Sequence, residues 1–221
     1  MQYSQLEFSV STDRPVAIAG LETRLIDAFD TAGGFGLFER YLGRSLLWTR
    51  ASDVAQLAKI QFERAPSSVP SWSWMAYEGG ISFLNLPFGE IDWTVNVEFR
   101  SPYSTYGSPH GSRGRMSSSR SEHCAELRVT ARALSTTALS SEGESSGIVW
   151  DDPTVPHTIP HDQIRCVIIG KLAAESGKLA QRHWVLALRE ISTGRYERVG
   201  AGFLPKDKIL QDAREMDSVI C

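Results

Sequence analysis

Two tryptophans spaced by two residues, Trp72 and Trp74, stand in the tract Val69-Pro70-Ser71-Trp72-Ser73-Trp74-Met75-Ala76-Tyr77-Glu78-Gly79-Gly80-Ile81. On a β-strand, side chains at i and i+2 share a face, so both indoles are expected to bury together. Ser71, Ser73 and Met75 would then point the other way. Glu78-Gly79-Gly80 supplies residues that accept positive φ, which predicts a hairpin reversal into Ile81-Ser82-Phe83-Leu84. Read this way, the tract is a core-forming hairpin, and nothing in it demands catalysis.

Around this tract the pattern changes along the chain. Residues 11–32 read as a helix: Ser11, Thr12 or Asp13 can cap it, and Pro15 falls in the first turn. Ala17, Ile18, Leu21, Leu25, Ile26 and Phe29 recur at helical spacing as its apolar face, and Gly33-Gly34 ends it. A second short helix is expected over 37–42, with 44–49 extended. Strands are then expected at 82–86, 93–99, 125–133, 147–150, 164–172, 184–190 and 196–203. Turns fall at Pro87-Phe88-Gly89, Glu175-Ser176-Gly177 and Ser192-Thr193-Gly194. The run Cys166-Val167-Ile168-Ile169-Gly170 is continuously apolar, so it predicts a central strand buried on both faces. Residues 205–216 read as a short amphipathic helix with Ile209, Leu210 and Ala213 inward. The fold class expected is α+β, with two N-terminal helices packed on a mainly antiparallel, β-dominated body. A single domain over 1–221 is expected, with flexible loops near 101–121 and 135–147, because neither stretch can bury enough apolar surface to offset its ordering entropy.

Composition narrows the classes. The formal net charge of −3 argues against a uniformly basic nucleic-acid binder. No run of eighteen apolar residues occurs, so no membrane-spanning helix is expected. Met1-Gln2-Tyr3-Ser4-Gln5 has neither the basic nor the apolar region of a signal peptide. The three cysteines, Cys124, Cys166 and Cys221, fit free thiols in a reducing compartment, and a cytoplasmic location is expected.

Few groupings carry chemistry. Asp151-Asp152 closes the apolar stretch Ile148-Val149-Trp150 and precedes Pro153. Adjacent carboxylates there can hold a cation or a cationic substrate group; equally, Asp before Pro builds a turn, the plainer reading. His157 and His161 are four apart, with Asp162 beside them, but Pro160 interrupts and no third ligand completes a zinc set. No metal or other cofactor is expected. Cys124 beside His123 reads as part of one strand, with His123, Ala125, Leu127 and Val129 on one face and Cys124 on the other, and Cys166 reads as a small buried hydrophobe. Gly33-Gly34-Phe35-Gly36 reads as a turn between helices. No nucleophile elbow, P-loop or dinucleotide fingerprint occurs. Arg113, Arg115 and Arg120, interleaved with Tyr103 and Tyr106, could track an RNA backbone and stack bases; the plainer alternative is a solvated loop.

The tract Pro70-Ser71-Trp72-Ser73-Trp74 resembles a signature in the C-terminal region of fungal heterokaryon-incompatibility (HET) proteins. Ser11-Thr12-Asp13-Arg14-Pro15, Ala17-Ile18-Ala19-Gly20-Leu21 and Arg44-Ser45-Leu46-Leu47-Trp48 extend the likeness, which runs from about Tyr3 to Leu204. The HET domain proper is not part of it. Two function classes follow. In the one placed first, the chain is a small fungal secondary-metabolism enzyme similar to the arginine-containing cyclodipeptide synthases. That resemblance implies arginyl-tRNA and a second aminoacyl-tRNA as substrates, closure of a diketopiperazine and no metal. Asp151 and Asp152 would hold the guanidinium, and the basic loop would touch tRNA. The family pattern D-D-x-x-E reads Asp151-Asp152-Pro153-Thr154-Val155 here, so its glutamate is absent. In the other class, the chain is a non-catalytic HET-tail interaction module. The absence of a complete catalytic constellation favours it.

Overall fold

The computed structural model describes residues 10–62, 69–94, 99–100, 102–103, 126–135, 138, 147–173, 182–210 and 218–221. In chain order these form helix α1 (Arg14–Phe29), strands β1 (Gly33–Gly34) and β2 (Leu37–Phe38), and helix α2 (Leu42–Leu46). Strands β3 (Trp48–Arg50), β4 (Ala58–Lys59), β5 (Tyr77–Glu78), β6 (Ile81–Phe83), β7 (Ile91–Trp93) and β8 (Phe99–Arg100) follow. Then come β9 (Leu127–Val129), β10 (Arg132–Ala133), β11 (Val149–Trp150) and helix α3 (Val155–Thr158). The last strands are β12 (Ile164–Leu172), β13 (Arg182–Ser192), β14 (Arg195–Pro205) and β15 (Ser218–Ile220).

The apolar run at Cys166 lies in β12 of a nine-stranded sheet of order β10-β12-β13-β14-β15-β9-β8, with β7 also on β12 and β11 also on β14. β12 is paired on both sides but sits one strand in from the edge rather than at the centre. Alternation sorts its side chains between two cores: Val167 and Ile169 into the larger, Ile164, Cys166 and Ile168 into the smaller. All five are buried, as the unbroken apolar pattern predicts. Each such aliphatic side chain contributes about 1.5–3 kcal/mol. β12, β13 and β14 run as an antiparallel meander, and β13 turns into β14 at Thr193-Gly194, where Gly194 takes φ 74°. β14 and β15 pair in parallel; the other pairs of the sheet are antiparallel.

The N-terminal part departs from the expected pair of helices. α1 is long, but it ends at Asp30, in the left-handed region at φ 46°, before the glycines. Its inward side carries Arg14, Ile18 and Glu22, whereas Ala17 and Leu21 face solvent. Two polar anchors set that orientation: Arg14 donates to the Tyr77 carbonyl at 2.7 Å, and Glu22 accepts from Gly36 N–H at 2.6 Å. Gly33-Gly34-Phe35-Gly36 makes a hairpin, β1 against β2, with Phe35 at φ 55° and Gly36 at φ 76°. A two-residue reversal matched to the strand twist needs positive φ at both positions. A phenylalanine there is strained, and Ser73 Oγ donating to the Phe35 carbonyl at 2.7 Å helps hold it. The second helix, α2, spans only five residues and begins where the expected one ends.

The tryptophan tract is not a hairpin. Ser71 to Ser73 form an irregular turn and Trp74–Ala76 a 3₁₀ turn; Tyr77–Glu78 pairs with β4, and β6 pairs with β3. Trp72 and Trp74 are buried, but so are Ser71 and Ser73. The segment lies inside the molecule rather than on a sheet face, so its backbone needs partners that no ladder supplies. Ser73 Oγ and a distant carbonyl supply part of them: Ser73 Oγ accepts from Met75 N–H and the Cys221 carbonyl from Ser71 N–H at 2.8 Å, while Ser71 Oγ serves the Arg198 N–H on β14 at 3.0 Å. Gly79 does occupy a reversal, at φ 112°.

The described part of the strand expected at 125–133 forms two, β9 and β10; of the one expected at 93–99, Trp93 lies in β7 and Phe99 in β8, and 95–98 lie outside the described residues. Of the helix expected over 205–216, Lys206–Lys208 is a 3₁₀ turn and Ile209 bridges to Leu134, while 211–216, with Ala213, lie outside the described residues. Residues 101 and 104–125 lie outside the described residues, as does most of 136–146. Ala138, placed by the sequence in a surface loop, is buried in the smaller core. No helix among the described residues is long and apolar enough to cross a membrane.

Candidate functional site

Asp151 and Asp152 follow β11, which β14 holds through Val149↔Ala201 and Trp150↔Gly200. They end in opposite environments. Asp151 is 5% exposed; its N–H donates to the Val199 carbonyl, and its own carbonyl accepts from Leu57 N–H. Its carboxylate Oδ2 accepts from Arg198 Nη1 at 2.7 Å. Arg198, on β14, is 1% exposed. Its guanidinium lies over Trp48, 3.2 Å from the ring centroid, and donates also to the Trp48 carbonyl. The carboxylate expected to read a substrate guanidinium therefore holds one of the chain's own.

Burial dominates the electrostatics of this pair. It pushes the Asp151 carboxyl up from its ordinary value, while the positive charge of Arg198 and its hydrogen bond oppose that rise. The same burial pushes Arg198 down, against the pull of Asp151. Tyr77 is raised as well, by burial first and by the Asp151 charge second, and its hydroxyl donates to the Arg198 carbonyl at 3.3 Å. Among the described residues, Asp151 Oδ1 and Arg198 Nε are buried without a hydrogen-bond partner. The pair is thus singly bonded, and part of its desolvation stays uncompensated.

Asp152 is a turn residue. Its Oδ1 accepts from both the N–H and the hydroxyl of Thr154 at 2.8 Å, just ahead of α3, and its Oδ2 from Gln56 at 3.1 Å. That is the Asp-Pro turn geometry. The structure brings the two carboxylates side by side in the chain but to separate tasks.

The other candidates disperse. Arg113, Arg115, Arg120, Tyr106, His123 and Cys124 lie outside the described residues. Tyr103 packs edge-on against Trp72, with centroids 6.3 Å apart, and its hydroxyl donates to the Gly34 carbonyl, so its ring is committed inside the fold. His157 is exposed on α3 and His161 sits in a separate 3₁₀ turn. No group of three His, Cys, Asp or Glu residues among those described could hold a metal ion. Cys166 is buried, as expected.

Arg198 and Glu22 were not singled out from the sequence. An arginine in a strand otherwise rich in apolar and small residues, Tyr196-Glu197-Arg198-Val199-Gly200-Ala201, was the available signal for the first. Burial raises the Glu22 carboxyl above its ordinary 4.5, more than the Gly36 N–H lowers it. Burial chiefly, and the Glu22 charge second, raise Tyr103 in turn. With a folded value above the unfolded one, the Glu22 contribution to stability is fully present below pH 4.5 and is lost as pH rises through the folded value. Glu22→Gln keeps an acceptor for Gly36 and removes the charge. Melting temperatures measured from about pH 4 to about pH 8 are expected to decline less in Glu22→Gln than in the parent.

No protein-family model, no curated protein and no solved structure matches the chain.

Proposed function

We propose that the chain is a non-catalytic interaction module of the HET-tail kind, serving self/non-self recognition by binding a protein partner. The observation that carries this reading is Phe88. It stands 93% exposed at a turn closed by Gly89, which takes φ 77°. The Arg44 guanidinium from α2 lies 5.6 Å from its ring centroid and 5.8 Å from that of Trp93 on β7. Leaving a phenylalanine in water forfeits about 1.5–3 kcal/mol that burial would recover. Aromatic and arginine side chains together are the residue types that dominate binding energy at interfaces.

The enzymatic reading ranks second because it needs a carboxylate open to an arginyl guanidinium, and Arg198 occupies Asp151 while Thr154 and Gln56 occupy Asp152. Two measurements separate the readings. Given arginyl-tRNA and a mixture of other aminoacyl-tRNAs, the chain is expected to release no arginine-containing diketopiperazine. Appearance of that product, and its loss on replacing Arg113, Arg115 and Arg120 by serine, would overturn the proposal in favour of the synthase. Titrated calorimetrically against a full-length HET-domain protein, the chain is expected to bind, and Phe88→Ser to weaken binding about tenfold or more at unchanged melting temperature. Absence of binding, or equal binding by the variant, would also overturn it.

A further inference from the structure

Helix α1 docks through one side and leaves a coherent stripe on the other. Asp13, Val16, Ala17, Gly20, Leu21 and Arg24 are all exposed, Val16 at 75% and Leu21 at 52%. Spacings of three and four place these six on one side of the helix, next to the side of Ile18 and Glu22, with Arg14 at the boundary between them. A Cβ added at Gly20 would meet nothing within 4 Å, so the middle of the stripe is open. Apolar side chains gathered at the centre, with charge at either end, make a contact surface rather than scattered exposure.

Between residues 13 and 24 the order of residues along the stripe reads the same from both ends in physical type. Run antiparallel against itself, it sets Asp13 opposite Arg24, Val16 opposite Leu21 and Ala17 opposite Gly20. Acid meets base, large apolar meets large apolar, and small meets small. A two-fold contact demands this self-complementarity, because each residue must suit the partner that its own counterpart faces. We propose that two copies of the chain associate through α1 packed antiparallel on α1 about a two-fold axis. Ala17 and Gly20 let the helices approach closely, Val16 and Leu21 fill the flanks, and two Asp13–Arg24 pairs fix the register. The contact extends over about 16 Å of helix. An interface well under about 1,200 Å² is a weak one, so association is reversible and concentration dependent. It uses residues distinct from Phe88 and Arg44 and holds whether or not the HET-tail reading does.

Sedimentation of the whole chain over a range of concentrations tests the proposal. The parent is expected to show a monomer–dimer equilibrium. Asp13→Arg and Arg24→Asp each set like charges against each other and are expected to weaken dimerisation about tenfold or more, while the double variant returns it to about the parent value. Asp13 makes no side-chain capping bond, so its replacement leaves the start of the helix intact, which circular dichroism verifies. Leu21→Glu is expected to abolish the dimer. A parent that stays monomeric, single variants that associate like the parent, or a double variant as weak as the singles would each overturn the proposal.

Discussion

Replacing Arg198 by methionine is expected to lower the unfolding free energy by about 3–5 kcal/mol, because it strands the Asp151 carboxylate in the interior without its partner. Asp151 is 5% exposed, and Arg198 supplies the one hydrogen bond to its carboxylate among the described residues. Adding Asp151→Leu to Arg198→Met should recover much of that loss. A packed apolar pair replaces a buried ion pair at little cost, more readily so where, as here, Asp151 Oδ1 and Arg198 Nε already lack partners. Urea unfolding of the two variants, with the slope compared as well as the midpoint, reads the effect. A double variant less stable than Arg198→Met would mean that the pair adds more than charge compensation.

Trp48→Ala is expected to cost about 3–5 kcal/mol, the range for truncating a large aromatic in a core. Trp48 is fully buried. Its loss would also remove the N–H that the Trp72 carbonyl accepts at 3.0 Å and the ring on which Arg198 lies. The contact with Tyr77, whose centroid is 5.4 Å away, would go too. Trp48→Phe keeps an aromatic face but leaves the Trp72 carbonyl without that donor, which costs about 1–3 kcal/mol. The phenylalanine variant should therefore unfold between the parent and Trp48→Ala. Guanidinium denaturation followed by far-ultraviolet circular dichroism distinguishes the three.

What the sequence revealed was local. The apolar run at Cys166 and the turn at Thr193-Gly194 carry their structural consequence within a few residues, and β12, β13 and β14 formed where the pattern placed them. The Asp-Pro signal was equally local, and Asp152 became the turn residue it describes. The tryptophan tract failed for a different reason. Alternation with a period of two implies a strand only where one face meets a core and the other meets water. Ser71, Trp72, Ser73 and Trp74 are all buried, so the alternation carried no facing information. The serine hydroxyls serve backbone groups that a ladder would otherwise satisfy. In α1, apolar spacing pointed Ala17 and Leu21 inward with Ile18, Leu25, Ile26 and Phe29, but those two are exposed while Arg14 and Glu22 hold a carbonyl and an N–H on the docked side. Asp151 was the least legible. Its role depends on Arg198, 47 residues away, and on Trp48, which a strand in another part of the chain brings beneath the guanidinium.

Asp151 belongs to the core rather than to a substrate site, and the unfolding free energy of Asp151→Asn tests that most directly. A carboxylate kept for chemistry is commonly replaced with little loss of stability, or with a gain, since active sites trade stability for function. A carboxylate that neutralises a buried guanidinium is not. Asp151→Asn is predicted to lose about 3 kcal/mol or more in urea at neutral pH. An Asp151→Asn variant as stable as the parent would contradict the account.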